Sequence, residues 1–252
     1  MINNYEDLGY SLFNEPTIEH SLLDNALNRI PAIMRGESDT GLENWGIIDG
    51  SSSKLSRVAQ PHMCSSAFRT LLVESNIGTK IASILECESV SVWGSQLYLK
   101  PPGSSPSFNV GLHRDSQHMP FFKSGIATLW IPLSDVSGKC GSIKYIQHSH
   151  NKRLFPCPKG GQELNINAES NRLKLSSNAP YLEQEITLPK GGFSLHHWDL
   201  IHGSGQNKTQ EIRAALSIGI YTENIQVDLN QLDYGYKSIL DNPIYCPNLF
   251  KK

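Results

Sequence analysis

An excess of charge of either sign, paired cysteines and long apolar runs are all missing from this 252-residue chain. Lys plus Arg number 22 against 24 Asp plus Glu, a formal net charge of −2. That balance offers no broad basic field, which argues against a nucleic-acid or anionic-membrane partner. Apolar runs such as Ile126 to Leu133 fall far below the ~20 residues of a membrane-spanning helix. The opening MINNYEDLGYSLF has neither the basic nor the apolar region of a secretory signal, so a cytoplasmic location is the expectation. The five cysteines (Cys64, Cys87, Cys140, Cys157, Cys246) are an odd number, scattered and without a CxxC pair. They fit neither a disulfide framework nor a zinc ribbon, and reduced thiols are expected. No fixed-period repeat or low-complexity run is present. What is there, 38% hydrophobic and 18% charged residues, reads as a globular chain of one domain, 1–252.

Helical spacing comes first along the chain. Leu22, Leu23, Ala26, Leu27 and Ile30 form a stripe within Glu19 to Ile30, and Ala67 to Val73 and Thr79 to Leu85 are two further short candidates. Residues 1–88 are therefore expected to form a mostly helical N-terminal layer. From residue 89 the texture changes. SVSVWGSQLYLK is rich in β-branched and aromatic residues, ATLWIPLSDV is a short apolar run, and RAALSIGIY alternates Leu216, Ile218 and Ile220. Gly- and Pro-rich turns separate these stretches at the spacing of a sandwich or barrel. The expectation is a mainly β core over 89–226 with flanking helices, and a tail, 227–252, packed on it.

GLHRDSQH places His113 and Asp115 two residues apart. On a strand, residues i and i+2 share a face, so an imidazole and a carboxylate can reach one ion. With nine histidines in the chain, such a pair alone also fits a surface ion pair or a strand-end turn. His202, just before a glycine-rich turn in LIHGSGQNKTQEIR, is the best third ligand. Two histidines and a carboxylate on one face of an ion leave positions open, as in non-haem Fe(II) oxygenases. Arg213 follows eleven residues later, a loop long enough for the chain to return on a neighbouring strand and grip a carboxylate bidentately. Ser204, of the same parity as His202, reads equally as a second donor to that carboxylate or as a turn serine.

His113-Arg114-Asp115, then Thr128 to His150, then Gly191 to Ser217 together resemble the phytanoyl-CoA dioxygenase family of Fe(II)/2-oxoglutarate-dependent oxygenases. The likeness covers roughly residues 90 to 222 in the family's order, and YEDLGYSLF resembles its helical entry more loosely. The resemblance implies a double-stranded β-helix (jelly-roll, cupin-like) core, with His113, Asp115 and His202 as iron ligands and catalytic centre. It implies Arg213 and Ser204 as holders of 2-oxoglutarate, and Gln96, Lys100 and Tyr98, of one parity on the preceding strand, as further co-substrate and pocket contacts. Gln147-His148-Ser149-His150 stands where the family commonly has Pro-Gly-Ser-His, so His150 matches the motif histidine after a different turn. In relatives that halogenate, a small residue replaces the carboxylate ligand; Asp115 in that place implies oxygen transfer.

Other residues admit two readings each. His118 is a loop histidine or faces substrate; Trp130 is core or borders the pocket. His197 with Asp199 is a reserve ligand pair, because His196 and His197 must face opposite sides of a strand. Met119, Phe121 and Phe122 form either a lid or a packed loop. Arg114, Gln117, Lys144 and Arg153 are possible anchors for an anionic substrate or part of a solvated surface. The expected activity is oxidation of a C–H bond of a small-molecule substrate, with Fe(II) as cofactor, 2-oxoglutarate and O2 as co-substrates, and succinate and CO2 released. A non-catalytic metal-binding jelly roll and a zinc-dependent hydrolase are the rivals. A hydrolase has no use for an arginine beyond its last ligand.

Overall fold

The structure is a computed structural model that describes residues 2–50, 55–103 and 105–252. Its strands are β1 (Ile2–Asn4), β2 (Tyr10–Phe13), β3 (Gly46–Ile48), β4 (Ser56–Ala59), β5 (Ser89–Lys100), β6 (Val110–His113) and β7 (Phe122–Pro132). They continue as β8 (Ile143–Ile146), β9 (Glu183–Glu185), β10 (Phe193–His197), β11 (His202–Ser204), β12 (Arg213–Val227) and β13 (Asn248–Lys251). The helices are α1 (Tyr5–Leu8), α2 (His20–Met34), α3 (Pro61–Cys64), α4 (Ser66–Glu74), α5 (Ile77–Leu85) and α6 (Ile166–Ser176). The larger sheet runs β1-β2-β10-β7-β12-β5-β4-β3, with β13 also paired to β5; the smaller runs β6-β11-β8-β9. All the ladders are antiparallel. Two such sheets enclosing a shared interior make the jelly roll. No helix among the described residues is long and apolar enough to cross a membrane.

The alternation of side chains in the larger sheet explains why both faces are covered. On one face Leu97, Leu129, Ile131, Leu195, Leu216, Ile218 and Ile220 pack with Leu23, Phe68, Leu71, Ile77 and Ile81 of α2, α4 and α5. Each fully buried Leu or Ile of this layer contributes about 1.5–3 kcal/mol of apolar burial. The opposite face turns Gln96, Tyr98 and Lys100 of β5 toward the smaller sheet, beside Ser217, Ala215 and Arg213 of β12, their register partners. Trp130 and Ala215 from the larger sheet meet Ile143 and Tyr145 from the smaller in one buried cluster. Near its end, the β12–β5 ladder shifts register between Gly219 and Ile220.

Strands also form outside residues 89–226. The stretch expected to be mostly helical carries β1 to β4, and β13 joins from beyond Val227. These strands are 3 or 4 residues long, too short for alternation to register in the sequence. Helix α2 passes the expected end at Ile30 and runs through Pro31 to Met34, where a proline reads as a stop.

Candidate active site

β6 ends at His113 and β11 begins at His202, and the two residues face each other in the ladder, their ring centroids 4.3 Å apart. Asp115 does not share the strand face expected of it. The strand stops at His113, and Asp115 opens a 3-10 turn, Asp115–Gln117, that swings its carboxylate back toward both rings. Oδ1 of Asp115 lies 3.6 Å from His113 Nε2 and 3.5 Å from His202 Nε2. One ligand atom from each of the three residues falls within 4.8 Å of the others. Nδ1 of His113 meets the Gly111 carbonyl at 2.8 Å, and Nδ1 of His202 the Leu200 carbonyl at 2.9 Å. A carbonyl only accepts, so each Nδ1 donates and each Nε2 keeps its lone pair for the shared point. This donor set fits a first-row divalent ion.

Electrostatics point the same way. Burial favours the neutral acid for Asp115, yet the neighbouring His202, His113 and His196 outweigh it and hold the carboxyl well below its usual range. Burial, and next the neighbouring His113, keep His202 far below an ordinary histidine. For His113 burial pulls down, but the adjoining Asp115 carboxylate prevails and raises it. The second carboxylate oxygen is held separately. Thr128 Oγ1 donates to Oδ2 at 2.5 Å, and His196 Nε2 stands 3.4 Å from it. His196 Nδ1 bonds the Tyr145 hydroxyl at 3.0 Å, which in turn meets Ser194 Oγ at 2.7 Å. Sequence reasoning missed Thr128 and Tyr145 and set His196 aside. The pairing of His196 with Thr128 across β10 and β7 is the missing information, and no single stretch of sequence carries it.

A second polar centre lies beside the first. Lys100 and Arg213 are register partners on β5 and β12 and are 0% and 4% exposed. Lys100 Nζ donates to Ser204 Oγ at 2.7 Å, to the Ser204 carbonyl at 3.3 Å and to the Gly205 carbonyl. Arg213 donates to the Gly141 carbonyl at 3.1 Å, lies over the Trp130 ring at 5.9 Å, and keeps a buried Nε with no partner among the described residues. Neither cation meets a carboxylate among those residues. Burial, and next the Arg213 charge, push the Lys100 pKa far down; burial pushes that of Arg213 down to about 10. Two adjacent buried cations without an acid are a fitted seat for an anion. Ser204 shares its strand face with His202, two residues or ~7 Å along β11, so the seat adjoins the ligand cluster.

A cavity of about 660 Å³ adjoins the ligand cluster, with His113, Asp115 and Thr128 among its lining residues. Of the pocket residues expected from the sequence, Gln96, Tyr98 and His118 line it, and the Tyr98 hydroxyl donates to Gln96 Oε1 at 2.8 Å. Met119 lines it too, while Phe121 and Phe122, each 1% exposed, are packed core and not a lid. Trp130 is buried beneath Arg213 rather than on the cavity wall. His150 lies elsewhere, bonding the Glu6 carbonyl at 3.1 Å beside the His197 ring. The reserve pair turns away as well, with the Asp199 N–H donating to His197 Nδ1 at 3.0 Å and Lys152 paired to Asp199 at 2.7 Å. Arg114 is a buried brace, its guanidinium on the carbonyls of Ser149, Asp199 and Phe155. Gln117 caps the Arg114 N–H and reaches the Pro158 carbonyl. Lys144 pairs with Glu183 at 2.8 Å and Arg153 is exposed.

Comparison with known proteins agrees with this geometry. Residues 23–215 match the family model described as phytanoyl-CoA dioxygenase (PhyH). The chain is 28% identical over 196 residues to a probable alpha-ketoglutarate-dependent hypophosphite dioxygenase of Stutzerimonas stutzeri, covering 76% of this chain and 66% of that one. It is 26% identical over 185 residues to the peroxisomal phytanoyl-CoA dioxygenase of Mus musculus, covering 64% and 54%. The chain thus spans two thirds or less of the length of these relatives. Among solved structures, the non-heme alpha ketoglutarate dependent carbocyclase SnoK from nogalamycin biosynthesis superposes with a TM-score of 0.70 at 17% identity, over 94% of this chain and 88% of that one.

Proposed function

The chain belongs to the phytanoyl-CoA dioxygenase family, and from that premise we propose that it is an Fe(II)/2-oxoglutarate-dependent oxygenase oxidising a C–H bond of a small molecule. The observation that carries this reading is the adjacency of two features: a His113–Asp115–His202 cluster and a buried Lys100–Arg213 pair lacking any described acid partner. A hydrolytic zinc centre would use the first and has no work for the second.

In this reading His113, Asp115 and His202 hold the iron, and Arg213 with Lys100 seats the far carboxylate of 2-oxoglutarate. Ferrous iron, when bound, supplies the redox chemistry that couples decarboxylation of 2-oxoglutarate to succinate and CO2 with oxidation of the substrate. The rest is positioning. The Gly111 and Leu200 carbonyls fix the imidazole tautomers, and Thr128 holds the carboxylate rotamer. The cavity walls orient the substrate and limit water.

The test is anaerobic addition of Fe(II) and 2-oxoglutarate, followed by visible absorption. A weak charge-transfer band is expected, and Arg213→Ala should weaken 2-oxoglutarate binding by at least ~100-fold while Fe(II) affinity stays within a few-fold. Absence of the band, or an R213A variant that binds the co-substrate normally, refutes the assignment.

A further inference from the structure

The cavity wall away from the ligand cluster has a composition that points to the kind of molecule it accepts. Trp93 of β5, Trp45 before β3, and Tyr234 and Tyr236 after β12 converge there. Tyr236 lies 5.0 Å from the Trp93 ring, edge-on, and 5.1 Å from the Trp45 ring. Its hydroxyl accepts from Gln60 at 3.1 Å. Trp45 and Tyr234 are 40% and 52% exposed, an aromatic surface left open to a ligand. Aliphatic lining is confined to Leu55, Val110 and Met119, and the flat faces of this aromatic group favour a planar or cyclic body.

The charge count of the cavity is equally specific. Leaving histidines aside, the ionised side chains among the described residues that line it are Asp115 and Arg57, and Asp115 is committed to the ligand cluster. Arg57 stands on β4 in register with Tyr98, and its charge reaches both the Tyr98 hydroxyl and His118. No described carboxylate pairs with it. Among the described residues, the cavity therefore presents one guanidinium without a carboxylate partner, in register with Tyr98, and an aromatic wall.

We propose that the substrate is a small organic anion with a ring body, its acidic group held by Arg57 and its ring laid against Trp45, Trp93 and Tyr236. This rests on the oxygenase reading only for what happens to the molecule, not for its binding. A guanidinium gives a bidentate, charge-assisted grip on carboxylate or phosphate alike, so the shared chemistry is an anionic head.

Calorimetric titration of the full chain tests it, first alone and then with Fe(II) and saturating 2-oxoglutarate under nitrogen, which keeps the Arg213 seat filled. The probes are 3-phenylpropanoate, indole-3-propanoate and naphthalene-2-acetate with their amides, 2-phenylethyl phosphate with its alcohol, and hexanoate. Ring acids should bind at least ~10-fold more tightly than their neutral counterparts and than hexanoate, and Arg57→Gln should reduce that preference to within ~3-fold. The carboxylate and phosphate arms show which head is preferred. Equal binding of acids and neutral counterparts, a preference that survives R57Q, or hexanoate matching the ring acids overturns the proposal. Arg57 is exposed, so R57Q should keep the melting temperature and the charge-transfer band of the parent. A missing band with intact acid preference would count against the oxygenase reading alone.

Discussion

Thr128 donates its hydroxyl proton to the Oδ2 oxygen of Asp115, at 2.5 Å, while the Oδ1 oxygen faces the two histidines. The carboxylate thus has one oxygen held and one presented. Thr128→Val keeps the shape and removes the donor, leaving Asp115 free to turn. Mn(II) affinity, followed by electron paramagnetic resonance, should fall ~10–100-fold, and Thr128→Ser should restore most of it. An unchanged affinity in T128V would show that the strand and turn alone fix the rotamer.

Lys100 has its pKa held well below the ordinary value by burial and then by Arg213. Its three donated hydrogen bonds use all three N–H groups of an ammonium, and a carboxylate seated beside it favours that charged form further. The sign follows: affinity for 2-oxoglutarate falls as pH rises into the range where the lysine loses its proton. Calorimetry should show Lys100→Met binding 2-oxoglutarate ~10-fold or more weakly and without that fall. An affinity equal to the parent's would mean that Lys100 takes no part in the seat.

His62 couples folding to acid. Its Nε2 donates to the Tyr245 carbonyl at 2.8 Å and its Nδ1 meets Ser95 Oγ at 2.6 Å. Burial is the main cause that lowers its pKa from 6.5 to about 4. The unfolded chain then takes a proton at higher pH than the folded one. Stability is complete above about 6.5 and is lost as pH falls toward about 4, by up to about 3 kcal/mol. Urea midpoints against pH should flatten across this window in His62→Gln; an identical slope would assign the acid loss to other groups.

Gly219 has no room for a side chain. A Cβ there would lie 2.1 Å from Cε2 of Trp93. Gly219→Ala should cost about 1–3 kcal/mol by overpacking and displace the indole that lines the cavity. The near-UV circular dichroism should change together with the melting temperature. A variant as stable as the parent would mean that the ring shifts freely.

Much of the centre was legible because its parts lie close in sequence or in recognisable motifs. His113, Asp115, His202, Arg213 and Ser204 each belong to a short run whose chemistry can be named, and parity along β5 was enough to place Gln96, Tyr98 and Lys100 on one face. What escaped depends on which strands become neighbours. Thr128 and His196 reach Asp115 only because β7 and β10 pair next to each other. Tyr234 and Tyr236 reach the cavity only because the segment after β12 folds back over β5. His150 shows the opposite failure. Its place in the motif is conspicuous, yet the chain turns it toward Glu6, where it packs beneath Gly9. The expected strand geometry of His113 and Asp115 failed because the ladder ends one residue before Arg114, whose buried guanidinium then steers the turn.

The two imidazoles come from β6 and β11 of the smaller sheet, whereas Lys100 and Arg213 come from β5 and β12 of the larger. In the proposed reading, a diacid bridging them would span the gap between layers, and the architecture would work as a caliper. Trp130, Ala215, Ile143 and Tyr145, packed in that gap, set the opening of the jaws. On that reading, selectivity for chain length would be a collective property of the sandwich. Redirecting the protein toward a longer keto-diacid calls for thickening this filling, a change made entirely among residues that touch neither end of the molecule.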